Sequence, residues 1–458
     1  GPACVVTVGA AGLSFLALTW SDSHLIRTFG AAGALSTLIS YVAVITLTPL
    51  IGLLFIRPRD AQLAGRRSGR SDAAVDFLRR FCARTARFST RAPLLTTLAS
   101  AIVIASLTLV YANLEPRYRL ADQAPDREQA VQASQRLDAK LAGANPFHIL
   151  VELPPERALY DAETLALLGQ VHVIVETEAG IGNVLSLETL RAWLERNSKT
   201  SDVAVLKAYV EMLPEHLARR FIAADEKSAL ITGRIPDADA SAILPVVQKL
   251  EAALEPVRQA NPGFRISVTG LAAIAARNSA AMIGQLNASL TVEMLVVAAF
   301  IGLAFRSITV MVVGVMPGLF PIVASGAVLW ALGEGLQFAS VVALTIAFGL
   351  GLDATIHYLN RFRLEESAGG DPVESIVRAS VLVGPALILT TLVLACGLGV
   401  TVLSDLPSLR LFGWLSAATL IAALAGDLLI LPASVAVMRK ITNAISSARA
   451  PPRISTGD

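Results

Sequence analysis

Residues 1–30 read GPACVVTVGAAGLSFLALTWSDSHLIRTFG, and residues 384–413 read GPALILTTLVLACGLGVTVLSDLPSLRLFG. Laid on each other without a gap, the two copies share eleven of their first fifty positions. The shared pairs include Gly1/Gly384, Pro2/Pro385, Thr7/Thr390, Ser21/Ser404, Asp22/Asp405, Arg27/Arg410, Phe29/Phe412, Gly30/Gly413 and Pro49/Pro432. Any two apolar hairpins share Ala and Leu. A Ser-Asp, an Arg and a Phe-Gly at one offset instead point to internal duplication. Each copy is an apolar run, a short polar turn and a second apolar run, which predicts two membrane-crossing helices. Because both copies run in the same direction, the repeat is a parallel one, an architecture that transporters use. The offset also predicts that residue 1 enters near the end of a first half, with about four spans and a sister outer domain upstream.

Composition agrees with a membrane chain. Apolar residues make up 54% of the 458 residues and charged residues only 16%, against about 25% charged in soluble domains. Eight apolar runs have the length of spans, at about 3–20, 31–56, 93–112, 287–305, 309–331, 337–360, 383–403 and 411–437. The expected fold is therefore a polytopic α-helical membrane protein with one large polar insertion. Its expected parts are 1–56 (two spans), 57–92 (a basic linker), 93–112 (one span), 113–285 (the outer domain), 286–438 (a five-span bundle) and 439–458 (a tail). Cys4, Cys82 and Cys396 all lie outside the outer domain, so no disulfide framework is expected there.

Charge orients the chain. Segment 57–92 carries ten Arg against three Asp, which places it in the cytoplasm by the positive-inside rule. Counting spans outward, 113–285 falls on the far side, and it holds 18 Lys and Arg against 22 Asp and Glu. The tail, with Arg439, Lys440, Arg449 and Arg453, returns to the cytoplasm. Within 113–285, strand-like FHILVEL (147–153) precedes a helical 161–177. SALITGRI (228–235) precedes a helical 240–260 and then FRISVTG (264–270). Two strand–helix–strand units predict an α+β ferredoxin-like sandwich, with helices inserted at 187–222.

The stretch FGLGLDATIHYLNRF (348–362) puts a carboxylate inside an apolar run. Asp353 lies about 12 Å along the helix from Arg361, which marks the cytoplasmic end. Ionisable groups at such depth cost several kcal/mol and usually face a protein interior or a water path. Asp353 is thus a candidate proton carrier or a structural, hydrogen-bonded acid. His357, four residues on, shares its helix face and suits a relay partner or an interfacial residue. Thr390 and Thr391 in the next span are candidates to hydrogen-bond Asp353 or to pack helices. Asp427 is mid-span in the last helix, as a structural acid or a side branch of a relay. Glu293 lies near the outer end of the fourth span, where it snorkels or lines a lateral lipid entrance.

Several features together resemble the resistance–nodulation–division (RND) superfamily, in its MmpL-like, sterol-sensing-domain-related branch. They are VTG (268–270), the FRS turn (305–307), Pro317 and Pro321, GLGLDATIHYLNRFRLEE (349–366), GP…T (384–390) and SDLPSLRLFG (404–413). The resemblance implies a twelve-span, proton-driven exporter of a bacterial inner membrane. In it 113–285 would be a porter-type periplasmic domain and this chain the C-terminal part. Bacterial hopanoid lipid transporters are the nearest subgroup, implying a lipid or other hydrophobic substrate, a partner N-terminal half, and a dimer or trimer as possible assemblies. An acid at the position of Asp353 belongs to the proton relay in such proteins. The Tyr that often follows it is Ala354 here.

Other chemistries find no support in the sequence. Gly349 and Gly351 lie inside a span, where they allow close helix approach, and no G-x-x-x-x-G-K-[ST] loop occurs, so ATP is not expected as the energy source. His24, His148, His172 and His216 form no metal-binding pattern, and no cofactor is expected. The basic segment fits anionic headgroups better than nucleic acid. A protein-export accessory of the same superfamily and a non-transporting sterol or lipid sensor are the alternative readings; no nucleophile–base set suggests an enzyme.

Overall fold

The computed structural model describes residues 2–20, 24–55, 71–119, 122, 124–125, 128–140, 143–178, 181–199, 202–369 and 371–449. Gly1, Ser21 and Asp22 of the repeat, residues 57–70 of the basic linker and the end of the tail lie outside them. The chain divides into two compact units. A helical unit holds 1–114, 284–404 and 409–458, and an α+β unit holds 115–283 with 405–408.

The helical unit begins with α1 (Pro2–Ala17), a 3₁₀ turn (Leu18–Trp20), α2 (His24–Phe55), α3 (Ser71–Arg91) and α4 (Pro93–Ala112). The α+β unit runs α5 (Gln129–Lys140), β1 (Asn145–Glu152), α6 (Ala162–Thr177), β2 (Gly182–Leu185), α7 (Leu187–Ser198), α8 (Val203–Met212), α9 (Glu215–Ala218), β3 (Ser228–Ile235), α10 (Ala240–Ala260) and β4 (Arg265–Thr269). The chain continues with α11 (Leu271–Ala304), which passes from the α+β unit into the helical unit at Gly284, then α12 (Ile308–Ala331), α13 (Phe338–Ser367), α14 (Pro372–Gly399), a 3₁₀ turn (Val400–Leu403), α15 (Pro407–Ala425), a π-helical turn (Gly426–Ile430) and α16 (Leu431–Arg449).

Among the described residues seven helices are long and apolar enough to cross a bilayer: Arg27–Leu54, Pro93–Ala112, Leu271–Leu303, Ile308–Ala331, Phe338–Ser367, Pro372–Leu403 and Pro407–Thr442. The first expected span, 3–20, falls on the apolar helix α1 and the 3₁₀ turn that follows it. The expected change from outer domain to bundle at 285 lies within two residues of the division between the units, which falls between Ile283 and Gly284 inside the unbroken helix α11. Gly270, just before that helix, takes a φ of +110° that no side chain adopts without strain. The FRS turn is equally sharp: Arg306 takes a φ of +48° and Ser307 caps α12 by accepting from the Val310 amide at 3.3 Å.

The α+β unit is a four-stranded antiparallel sheet in the order β2-β3-β1-β4. With α6 between β1 and β2 and α10 between β3 and β4, this is the split β-α-β arrangement. Alternation in SALITGRI puts Ala229, Ile231 and Ile235 on the buried face opposite Val151, Ile149 and Asn145 of β1. The buried face packs on Val171 and Val175 of α6 and on Val247, Leu250 and Leu254 of α10. The inserted helices add Leu187, Leu194, Leu206 and Val210 to the same core. Asp239 starts α10 by accepting from the Ser241 amide at 3.1 Å, and it also accepts from the Tyr118 amide at 3.1 Å.

The two copies of the repeat fold alike. In each, a helix ends in a 3₁₀ turn and the next helix starts at equivalent residues, His24 and Pro407. The shared glycines explain the match. A Cβ on Gly30 would meet the Phe15 carbonyl oxygen at 2.6 Å, Leu18 Cβ at 2.9 Å and the Thr19 amide at 3.2 Å. A Cβ on Gly413 would strike Thr401 Oγ1 and lie 3.1 Å from the Leu398 carbonyl oxygen and 3.0 Å from the Val402 amide. These are the same three positions in each copy, so both hairpins close on a glycine for want of room. Gly30→Ala and Gly413→Ala should each destabilise the protein by about 1–3 kcal/mol through overpacking. The Gly30 change should cost more, since its nearest obstacle is backbone, whereas Thr401 is a side chain that can turn. Thermal unfolding of the purified variants in detergent checks both the losses and their order.

Candidate functional site

Helix α13 presents two chemically different faces. Its buried face carries Leu352, Thr355, Ile356, Tyr358, Leu359 and Phe362. Its other face carries Asp353 and His357, which form an ion-pair geometry of 3.5 Å (Nε2 to Oδ1) with side chains 54% and 37% exposed. The expected acid–histidine pair is therefore present, one helical turn apart. It stands on the surface of the helical unit, although the depth of Asp353 had pointed to a protein interior. The sequence supplies the acid but not the phase of the helix, and the packing of α13 against α1, α12 and α14 turns this stripe outward.

The threonines expected beside Asp353 do not reach it. The Thr390 hydroxyl donates to the Ala386 carbonyl of its own helix at 2.9 Å and is exposed, while Thr391 is buried in α14. Hydroxyls in spans commonly bond back to the preceding turn. Tyr358 does not replace the aromatic absent at Ala354 either, because it lies on the opposite, buried face.

The two other acids are the buried ones. Asp427 is 2% exposed and accepts a hydrogen bond of 2.5 Å from the Thr355 hydroxyl on α13. It sits in the π-helical turn, whose Gly426 comes within 3.2 Å of the Pro317 carbonyl oxygen on α12, measured from a built Cβ. A π-turn frequently marks a functional position. Glu293 on α11 is fully buried, so it does not snorkel to an interface. The Ser14 hydroxyl of α1 lies beside it, yet neither carboxylate oxygen has a hydrogen-bond partner in good geometry. Because α11 starts at Leu271, well before the apolar run, Glu293 lies in the interior of a long helix rather than near its end.

Polar residues that sequence reasoning passed over complete the interior. The Tyr358 hydroxyl lies 3.2 Å from Ser380 Oγ on α14, one turn along α13 from Thr355. Ser325 on α12 and Thr419 on α15 share a hydrogen bond of 2.7 Å. Tyr111 donates to Asn287 Oδ1 at 2.5 Å, tying α4 to α11. Thr355 and Tyr358 carried one legible signal: they recur at i and i+3 on a single face of an otherwise apolar helix. At the end of α13, Glu366 pairs with Arg439 of α16, whose guanidinium also lies 5.6 Å from the Phe362 ring centre.

The described acids thus fall into three settings: one surface acid–histidine pair, one hydrogen-bonded buried acid and one buried acid with little support. Known proteins place the chain. Residues 122–452 match the MMPL family. A membrane protein of Methanocaldococcus jannaschii is 21% identical over 372 residues, which are 79% of this chain and 95% of that relative. The matched region takes in the α+β unit and all five apolar helices that follow it, including every acid described above, and the chain belongs to the MMPL family of RND-type multi-pass membrane proteins.

Proposed function

We propose that this chain works in a proton-driven transporter that moves lipids or other hydrophobic molecules out of a bacterial inner membrane, with hopanoids as the substrate class. The observation that carries the reading is the Asp353–His357 pair on the open face of a spanning helix. A carboxylate at that depth is costly against lipid, so its face calls for a water path or a protein partner, such as helices of a first half. Gaining or losing a proton changes the charge on this face and with it the helix surface it tolerates. On the opposite face of α13, Thr355 holds Asp427, so a shift of α13 reaches the last helix directly. Glu293 and Ser14 stand where α11 meets α1, and they offer a second place for a proton. The α+β unit is read as the periplasmic porter domain.

Reconstitution in liposomes tests the scheme, with an internal pH dye and a fluorescent lipid followed together. Asp353→Asn should lower gradient-driven lipid movement by about 100-fold or more, on the scale of a lost proton-transfer group, while the protein still folds. Full lipid movement in that variant would sink the relay. Binding without any movement, in wild type and variant alike, favours a lipid sensor.

The buried pair makes a separate prediction. Thr355→Val leaves a buried carboxyl oxygen without its donor and should cost about 1–3 kcal/mol. Asp427→Asn keeps an oxygen that accepts from Thr355 and should cost less. Unfolding temperatures of the two variants in one detergent decide this.

A further inference from the structure

Helix α3 (Ser71–Arg91) is too polar to span a membrane, yet it exposes three phenylalanines. Phe77, Phe81 and Phe88 are 66%, 45% and 64% exposed. At about 3.6 residues per turn they fall on one stripe of the helix. Arg80, Arg84, Arg87 and Arg91 are also exposed and form the adjoining stripe. Arg79 pairs with Asp76 at 3.6 Å, but Arg84, Arg87 and Arg91 have no acidic partner among the described residues. Cys82, Ala86 and Ser89, on the remaining face, are fully buried against the rest of the helical unit. The contact there is close: a Cβ on Gly384 of α14 would lie 2.5 Å from Cys82 Sγ.

Continuity with a span fixes the setting. Helix α3 ends at Arg91, and the apolar helix α4 starts at Pro93 with only Ala92 between them. The end of α3 is therefore held at the membrane surface by its own chain. The surface is the cytoplasmic one by the charge rule, and Arg57, Arg59, Arg66, Arg67 and Arg70 precede the helix in sequence. Three stripes in this order, buried, aromatic and cationic, match a helix lying in an interface with apolar residues in the acyl boundary and arginines at the phosphates.

We infer that α3 is a membrane-surface helix whose arginine stripe binds the phosphates of anionic lipid headgroups while Phe77, Phe81 and Phe88 enter the acyl boundary. The arginines point to anionic rather than zwitterionic lipid, since nothing in the described structure neutralises three of them. The same Gly384 that receives Cys82 lies 3.8 Å from Leu428, by the same built Cβ, and Leu428 is the neighbour of Asp427 in the π-turn.

Two measurements on the full chain test this. Spin labels placed by Phe77→Cys, Phe81→Cys and Phe88→Cys, with Cys4 and Cys396 replaced by Ser and Cys82 checked as unreactive, report depth in nanodiscs. Preferential collision with oxygen over a water-soluble nickel chelate is expected at all three positions. Preferential collision with the chelate overturns the inference. So does shielding from both reagents, the mark of a protein partner or a second copy covering the stripe. In native mass spectrometry from mixed phosphatidylglycerol and phosphatidylcholine, wild type should retain phosphatidylglycerol preferentially. Replacing Arg80, Arg84, Arg87 and Arg91 by Gln should reduce that preference at least about fivefold, the worth of one surface arginine. Replacement by Lys should largely restore it. An unchanged preference in a Gln variant that elutes and unfolds as wild type does removes the headgroup site.

Discussion

Across a bilayer core there is no water to satisfy a polar side chain, so each one must find its partner inside the protein or leave a cost of several kcal/mol. Much of the helical unit can be understood from that demand. Thr37, Thr46, Ser106, Thr108 and Thr390 return their hydroxyls to carbonyls of their own helices. Tyr111 finds Asn287, Ser325 finds Thr419, and Asp427 finds Thr355. Against that background the exceptions are informative. Asp353 is left on a surface with only a histidine for company, and Glu293 is sealed in with little more than Ser14 beside it. These two acids are the ones that the described fold compensates least.

The helices that carry these acids are positioned by small residues. The hairpins of the repeat close over Gly30 and Gly413, α3 seats its cysteine on Gly384, and Tyr111 lies against Gly326. Without a strong apolar driving force between helices in lipid, such close approach supplies the packing energy. Duplication then conserves geometry through a few contact positions while the apolar letters around them drift.

Much of this was legible in the sequence. Strand-like FHILVEL and SALITGRI marked β1 and β3, and the helical run 240–260 marked α10. Strand β2 was not legible: it has four residues, an irregular register against β3, and Asn183 in a left-handed conformation. Hydropathy located the bilayer portion of α11 but not its start, because Arg277 and Asn278 belong to the same helix outside the apolar run. It also concealed α3, whose arginines average out its phenylalanines. At the site, the acids could be found by their depth in apolar runs. Which of them face inward could not, since Thr355 and Asp427 are 72 positions apart in the chain and only helix packing brings them together.

The π-turn at Gly426–Ile430 has a consequence for the repeat itself. In the first copy, helix α2 passes through the equivalent position, Val44, as regular α-helix. In the second copy one wider turn delays the winding by roughly a quarter turn. Past Asp427, residues that still align in sequence, such as Pro49 and Pro432, no longer share an azimuth. The duplicated hairpins keep a common text to the last proline, but their spatial symmetry stops at the acid, and everything beyond it in α16 follows a different set of neighbours.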